Sequence, residues 1–320
     1  MQPILARLQA LQDQFLQSEL SAPSSESSVV IDSYRLLHGR GKTVAGLEFV
    51  CIDFFQPLLL LTCYQEPPAH WLDEFLQQAT PLLSPHIHAV LVQHRYIAGA
   101  PAEVIWGQLP EKIYARRGEL QFVLHPGQQQ NTGFFLDMEP GRRWLEQQAA
   151  AGKRVLNLFA YTCAFSVVAI AAGAEKVVNV DMSSRALQIG RDNHMFNQLN
   201  KKSSEFLAEN ILKSWGRIKK RGPYDIVILD PPSYQPGSFV AQKDYARLVR
   251  RLPELMPQGG LVLACLNAPE LTTEFLIDVF GHECPTGIYE ERLVPSADFP
   301  DVNPEQQLKL LVFRVPPVAV

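Results

Sequence analysis

The 320-residue sequence is short of several things, and each shortage removes a class of function. No apolar run approaches the ~20 residues needed to cross a bilayer, so no membrane span is expected. The first residues lack a basic head followed by a continuous apolar block, which argues against a secretory leader. The five cysteines (Cys51, Cys63, Cys163, Cys265, Cys284) are scattered, without the paired spacing used by metal or redox sites. No metal site is therefore expected, and a reduced, cytoplasmic compartment is the natural setting. Positive charge is not in excess either, since the formal net charge is −4. That balance does not favour nucleic-acid binding, although a local stripe of Lys and Arg is enough to neutralise phosphates. Internal repeats and long low-complexity tracts are also missing.

What is present is a globular composition, 47% hydrophobic and 19% charged, in a chain long enough for two cores. Ile4, Leu5, Leu8, Leu11, Phe15 and Leu16 recur at spacings of three and four, which predicts an amphipathic helix docked on its own protein. Residues 18–28 are rich in Ser, Pro and Glu and read as a linker. From 29 to 124 the runs at 29–31, 47–54, 58–64 and 89–93 read as strands, and Trp71, Phe75 and Leu82 as one helix face. Arg116-Arg117-Gly118-Glu119 reads as a hairpin turn. This region is expected to be a small α+β domain.

After His125 the pattern changes. Strand-like runs at 154–158, 176–180, 205–207, 225–229, 261–265 and 308–313 alternate, in the early part, with segments of helical length. That is the βαβ signature of a doubly wound, mostly parallel Rossmann-like sheet, expected over residues 125–320. Such sheets bind ligands outside the carboxyl ends of their strands.

The first strand leads into Asn157-Leu158-Phe159-Ala160-Tyr161-Thr162-Cys163, a turn without glycine. A dinucleotide pyrophosphate needs glycines there for close backbone approach, so the turn argues against NAD or FAD. It suits an adenosyl cofactor without phosphates. The second strand ends in Asp181, placed to accept ribose hydroxyls or, alternatively, to cap the helix that starts at Ser183 or Ser184. Met182 is then set against an adenine face. Asn210 follows the third strand and either bonds an adenine amino group or caps the next turn. The fourth strand runs into Asp230-Pro231-Pro232-Ser233-Tyr234. Two prolines there fix the backbone, so that a carboxylate, a carbonyl and an aromatic ring face a flat substrate.

Together, Asn157-Leu158-Phe159-Ala160-Tyr161-Thr162, Asp181 and Asp230-Pro231-Pro232 resemble the class I S-adenosylmethionine-dependent methyltransferases of large-subunit ribosomal RNA. Asn131-Thr132-Gly133-Phe134-Phe135-Leu136-Asp137 with Arg142 and Arg143 is similar to that family's lead-in to the first strand. Tyr34 to Gly41, with Gly46-Leu47-Glu48, is similar to the start of its small β-rich domain. No PUA-like or THUMP-like RNA-binding module is apparent. The resemblance implies S-adenosyl-L-methionine as cofactor and ribosomal RNA as partner. It places Thr132, Asp137 and Arg142 near the cofactor, Asn157, Tyr161 and Thr162 at its methionine end, and Asp181 at its ribose.

Two branches differ in chemistry. Cytosine-C5 methylation needs a cysteine thiolate, because that carbon is not nucleophilic by itself. Asn267 stands just after the fifth strand, where that cysteine is expected, and Cys265 reads as a buried strand residue. The asparagine resembles the branch that methylates guanine N7, which carries its own lone pair and needs positioning alone. Guanine is therefore favoured over cytosine-C5. Lys213, Arg217, Lys219, Lys220 and Arg221, and then Arg247, Arg250 and Arg251, are either solvated faces or RNA contacts. Rival readings are a methyltransferase of a small molecule or protein, and a non-catalytic methyltransferase-like binder.

Overall fold

The computed structural model describes residues 1–21, 30–83, 85–149, 152–235 and 239–318. The chain divides into two compact units, Met1–Leu136 with Ala297–Val302, and Asp137–Ser296 with Asn303–Val320. The lead-in segment that ends in Asp137 spans this division.

The first unit begins with helix α1 (Gln2–Ser21). Its Ile4, Leu8, Leu11 and Phe15 are buried, while Leu16 is exposed, so the helix docks on its own unit along one stripe. The linker expected over 18–28 starts later than its composition suggests, because the helix continues to Ser21. Residues 22–29 lie outside the described set. Strands β1 (Tyr34–His38), β2 (Val50–Phe55) and β3 (Leu58–Cys63) precede helix α2 (Trp71–Leu83). Then come β4 (Ala89–His94), β5 (Ala102–Gly107) and the hairpin of β6 (Ile113–Arg117) and β7 (Leu120–Leu124). The first five strands form one sheet in chain order, with β3 and β4 parallel and the other pairs antiparallel.

No strand forms at Val30 and Ile31. Side chains hold the following residues instead: Asp32 Oδ1 accepts the Gly118 N–H (2.7 Å) and Ser33 Oγ accepts the Arg116 N–H (3.0 Å). β5 escapes a pattern search because its side chains do not alternate cleanly between buried and exposed.

The second unit carries α3 (Glu139–Ala149), β8 (Arg154–Leu158), α4 (Ala164–Ala171), β9 (Lys176–Asp181), α5 (Ser184–Phe196), β10 (Ser204–Ala208) and α6 (Trp215–Lys219). It continues with β11 (Ile226–Leu229), the short pair β12 (Tyr234–Gln235) and β13 (Phe239–Val240), α7 (Ala241–Val249) and α8 (Leu252–Leu255). β14 (Gly260–Leu266), α9 (Thr273–Glu283), β15 (Ile288–Arg292) and β16 (Lys309–Val315) complete it. The large sheet has the order β10-β9-β8-β11-β14-β16-β15, with β16 antiparallel to both neighbours. This is the expected doubly wound, mostly parallel architecture. β15 was not legible because it is an exposed edge strand with little apolar pattern.

Both faces of the sheet are covered, which explains the near-continuous Val, Ile and Leu of its strands. Leu156, Leu158, Val178, Val180, Val227 and Leu229 pack on one side with Tyr245 and Leu248 of α7. Val155, Val177, Ile226 and Ile228 pack on the other with Leu145, Phe165 and Ala169. Strand order reverses between β8 and β11, whose last residues Leu158 and Leu229 lie side by side. The crevice at such a reversal is where open sheets of this kind hold ligands.

One close approach locks this end of the unit. A Cβ on Gly190 of α5 would stand 2.5 Å from Cys163 Sγ, well inside contact distance. Gly190→Ala should therefore destabilise the fold by roughly 1–3 kcal/mol, although alanine is the better helix former by ~1 kcal/mol. Cys163→Ala in the same background should recover much of that loss in urea denaturation. Additive effects would contradict the contact.

Candidate cofactor-binding and active site

The turn after β8 is built in a conformation that its residues do not favour. Phe159, Tyr161 and Cys163 all have left-handed φ, at 59°, 47° and 61°, and none is glycine. Such positions cost on the order of 1–3 kcal/mol each and persist where neighbours over-determine them. The neighbours are identifiable. The Ala160 N–H donates to the Val180 carbonyl at 3.1 Å, the Tyr161 N–H to Asp181 Oδ2 at 2.9 Å, and Asn193 Nδ2 to the Thr162 carbonyl at 2.9 Å.

Asp181 is the junction. Its Oδ1 also accepts the Ser183 N–H at 2.8 Å. The helix cap itself is Ser183, whose Oγ accepts the Ala186 N–H at 3.1 Å. Burial raises the Asp181 carboxyl above the usual carboxylate range, and N–H groups of Ser183, Tyr161 and Met182 oppose the shift. Each carboxylate oxygen carries two acceptor sites and one backbone bond uses only one of them. Acceptor capacity therefore remains on the carboxylate, which fits a ribose hydroxyl.

Asn157 is 1% exposed and is set behind the turn. Its Nδ2 donates to Asn179 Oδ1 (2.9 Å), and Asn179 Nδ2 donates to Ser166 Oγ (3.0 Å). Ser166 and His194 Nε2 are 2.9 Å apart, and His194 Nδ1 lies 2.6 Å from the Gly190 carbonyl. With Nδ1 donating to that carbonyl, Nε2 accepts the Ser166 hydroxyl. Burial lowers the His194 pKa, which keeps the ring neutral and this chain of donors intact. The network ties β8, β9, α4 and α5 beneath the turn. Sequence reasoning missed Asn179, Ser166 and His194. The available signal was the polar Asn179 inside an otherwise apolar buried strand, since buried amides occur where they are paired.

Across the crevice, Asp230 is half-buried at the end of β11. Burial, and then the Asp137 carboxylate, push its carboxyl up to about 7, against the opposing guanidinium of Arg142. Arg142 is itself buried, with Nε donating to Glu139 Oε2 at 3.0 Å. Asp137, Arg142 and Asp230 thus share one electrostatic environment. Tyr245, which the sequence did not single out, spans the ends of β11 and β14: its hydroxyl is 3.0 Å from the Cys265 carbonyl and 3.4 Å from that of Leu229. Pro231 is buried, and Ser233 Oγ donates to the Asn267 carbonyl at 2.5 Å. Tyr234 is 66% exposed on β12, which pairs with β13. Phe159 meets Phe239 of β13 edge to face, with ring centroids 5.1 Å apart.

Asn267 is exposed just past β14, whereas Cys265 is fully buried within it. Burial, Asp230 and Asp137 all raise the Cys265 thiol well above its usual range. Such a thiol is inert as a nucleophile. Met182 is half exposed after β9. Asn210 occupies a cap position without making the capping hydrogen bond. Thr132 lies in the first unit, its carbonyl accepting the His125 N–H at 2.8 Å.

The basic residues of the second unit are largely spoken for. Arg217 pairs with Glu209, Arg221 with Glu205, Lys219 with Glu254 (3.4 Å), Arg247 with Asp244 (2.8 Å), Arg250 with Glu283 (2.6 Å) and Arg251 with Glu254 (3.0 Å). That favours the solvated-face reading for them. Among the described residues, no group of three or more His, Cys, Asp or Glu is arranged to hold a metal, and no helix is long and apolar enough to cross a membrane.

The sequence model of the S-adenosylmethionine-dependent methyltransferases matches residues 34–314, most of the chain. The chain belongs to that family. Ribosomal RNA large subunit methyltransferase I of Tolumonas auensis is 29% identical over 304 residues, covering 90% of this chain and 76% of that protein. The protein of the same name from Yersinia pseudotuberculosis is 29% identical over 244 residues, covering 73% of this chain and 60% of its own length. A methyltransferase fold solved in complex with SAH superposes with a TM-score of 0.78 at 24% identity, over 97% of this chain and 81% of that one. The cofactor of the family, S-adenosyl-L-methionine, fits the donor set described above: a ribose acceptor in Asp181 and a turn with no pyrophosphate-binding glycine.

The raised Asp230 carboxyl has a stability consequence. The folded state holds this proton more tightly than the unfolded chain, so the group contributes stability below the unfolded carboxylate range and loses it as pH rises through about 7. Asp230→Asn should therefore stabilise the cofactor-free protein at pH 8, and the advantage should shrink towards pH 5. Denaturation midpoints at the two pH values check this. An advantage independent of pH would contradict it.

Proposed function

We propose that the protein transfers the methyl group of S-adenosyl-L-methionine to a base of large-subunit ribosomal RNA, guanine in preference to cytosine C5. The observation that carries the reading is the Asp230-Pro231-Pro232-Ser233-Tyr234 loop at the strand-order reversal, beside the Asp181-anchored turn. The names of the relatives supply the substrate class. On this reading residues 125–320 are the methyltransferase domain, 29–124 the smaller α+β domain and 1–28 the N-terminal helix and linker. The setting is the cytoplasm.

The cofactor supplies a methyl group activated on a sulfonium centre. Asp181 would hold the ribose, Asn210 and Met182 would face the adenine, and Tyr161, Thr162 and Phe159 would shape the wall behind the methionine end. Asn157 supports that wall from beneath through Asn179. The protein's remaining task is alignment, since a base nitrogen with a lone pair needs no covalent help. A base drawn out of its stack loses stacking energy, and the exposed Tyr234 ring supplies a replacement face. Asp230 as carboxylate accepts from the N1–H and amino group of guanine, both donors. The base would supply the lone pair at N7, and the residues named here would hold the two partners in line. The Arg142 guanidinium opposes the upward shift and favours the ionised carboxylate that this role requires.

Cytosine C5 chemistry requires a thiolate, and the buried, raised Cys265 does not provide one. The ion-paired basic residues of the second unit favour one rival, methylation of a small molecule or protein.

Asp230→Ala and Tyr234→Ala should each lower single-turnover methylation of ribosomal RNA by at least ~10²-fold, with affinity for the cofactor within a few-fold. Weakened cofactor binding by Asp230→Ala would move that residue to the cofactor. Cys265→Ser should retain most activity, and RNA carrying 5-fluorocytosine should not trap the enzyme. A trapped complex would revive the cytosine reading.

A further inference from the structure

Of the eight basic residues singled out near the catalytic crevice, six pair with carboxylates, whereas two arginines of the first unit do not. Arg40 lies with its guanidinium 4.4 Å from the centre of the Tyr64 ring, and Arg95 lies 5.4 Å from the same ring. Neither arginine has a carboxylate partner among the described residues. Lys42 stands two residues after Arg40 and is exposed. Two guanidinium groups therefore share one aromatic ring, and the exposed Lys42 lies close by in the chain.

Their support is elaborate for a solvated surface. Arg40 sits in a 3₁₀ turn, Gly39–Gly41, whose two glycines leave no room for side chains. A Cβ on Gly39 would meet the Leu47 carbonyl oxygen at 1.8 Å, and one on Gly41 the Pro300 carbonyl oxygen at 1.8 Å. Lys42 follows in the left-handed region (φ 57°), its N–H donating to the Gly39 carbonyl at 2.8 Å. The Val302 N–H donates to the Gly41 carbonyl at 2.9 Å. Beneath them, Arg35 is fully committed: Nε and Nη2 donate to the two oxygens of Asp53 (2.7 and 3.0 Å), and Nη1 donates to His38 Nδ1 (2.9 Å). Burial, Arg35 and Arg40 push the His38 pKa down to about 4, so this imidazole is a neutral acceptor. Asp53 is thus consumed by Arg35, and Arg40 and Arg95 are left to the surface.

We propose that Arg40, Lys42, Tyr64 and Arg95 form an RNA-docking surface on the first unit that holds single-stranded RNA. The inference rests on RNA being the substrate, and adds to it the place where the RNA is held. The chemistry fits that ligand in two ways. Unpaired guanidinium and ammonium groups displace counterions from phosphates. Guanidinium planes and aromatic rings also offer flat faces on which unpaired bases stack. A guanidinium already stacked on Tyr64 is pre-oriented, so less rotamer freedom is lost when a base arrives. The surface stops short of Tyr96, where Glu66 and Glu103 contribute negative potential.

The test uses the full chain and a short fluorescein-labelled oligoribonucleotide of mixed sequence, with binding read by anisotropy over a series of salt concentrations. Arg40→Ala with Arg95→Ala should weaken binding by about tenfold or more and flatten the slope of log Kd against log salt by about 1–2, while thermal midpoint and cofactor affinity hold. Arg40→Lys with Arg95→Lys should keep the salt slope and still lose affinity, because the charge remains and the flat face is gone. Arg250→Ala, which removes a cation already paired with Glu283, should change neither. A folded alanine double variant with wild-type affinity and slope would overturn the docking surface alone. A wild-type chain that binds no RNA and labels none would overturn the substrate reading, and the surface with it.

Discussion

The second unit is organised around one carboxylate accepting two backbone N–H groups. Asp181 takes the Tyr161 N–H on one oxygen and the Ser183 N–H on the other, and so joins the turn after β8 to the start of α5. Without that link, nothing local would keep Phe159, Tyr161 and Cys163 in left-handed geometry, since none of them is glycine. The strain is held by tertiary contacts from several directions: Asp181 from β9, Asn193 from α5, and the close passage of Gly190 past Cys163. A pyrophosphate-binding loop solves the same problem with glycines and leaves room for phosphate. This turn closes that room with side chains and keeps the carboxylate, which is why it suits an adenosyl group without phosphates.

One side of the crevice is preorganised by hydrogen bonds and the other is charged against itself. Asp137 and burial both disfavour ionisation of Asp230, and Arg142 opposes them from a buried position. A carboxyl held near the middle of the physiological range responds to whatever charge arrives beside it. Tyr245 contributes rigidity, bridging the carbonyl ends of β11 and β14, so that the loop carrying Asp230 leaves a fixed strand end. The same burial that poises Asp230 silences Cys265, two positions before the exposed Asn267.

Much of this was legible in the sequence where period and turn chemistry are strong. The run at 154–158 is β8 itself, Trp71–Leu83 is a helix over its full length, and the hairpin at Gly118 is where its residues place it. Asp181 and the Asp230 loop were recognisable because a polar residue at the end of an apolar strand is conspicuous. Among the elements that escaped were the edge strands β1, β5 and β15, and the side chains of β5 and β15 are largely open to solvent. The site residues that escaped act through partners distant in sequence. Ser166 matters because Asn179 and His194 reach it, and Tyr245 because two strand ends meet its hydroxyl. The basic residues near the catalytic crevice read in sequence as either solvated faces or RNA contacts. In the fold most of them face carboxylates, while Arg40 and Arg95 lie against the Tyr64 ring.

The claim on which the account turns is that Asp181 both shapes the turn and holds the cofactor ribose. Calorimetric titration of S-adenosyl-L-methionine into the wild-type chain and into Asp181→Ala tests it directly. The account predicts saturable binding by the wild type, weakened in the variant by ~1–3 kcal/mol, the cost of losing charge-assisted bonds to the ribose hydroxyls. Equal affinity in a folded variant would contradict it and leave Asp181 a purely structural tie between the turn and α5.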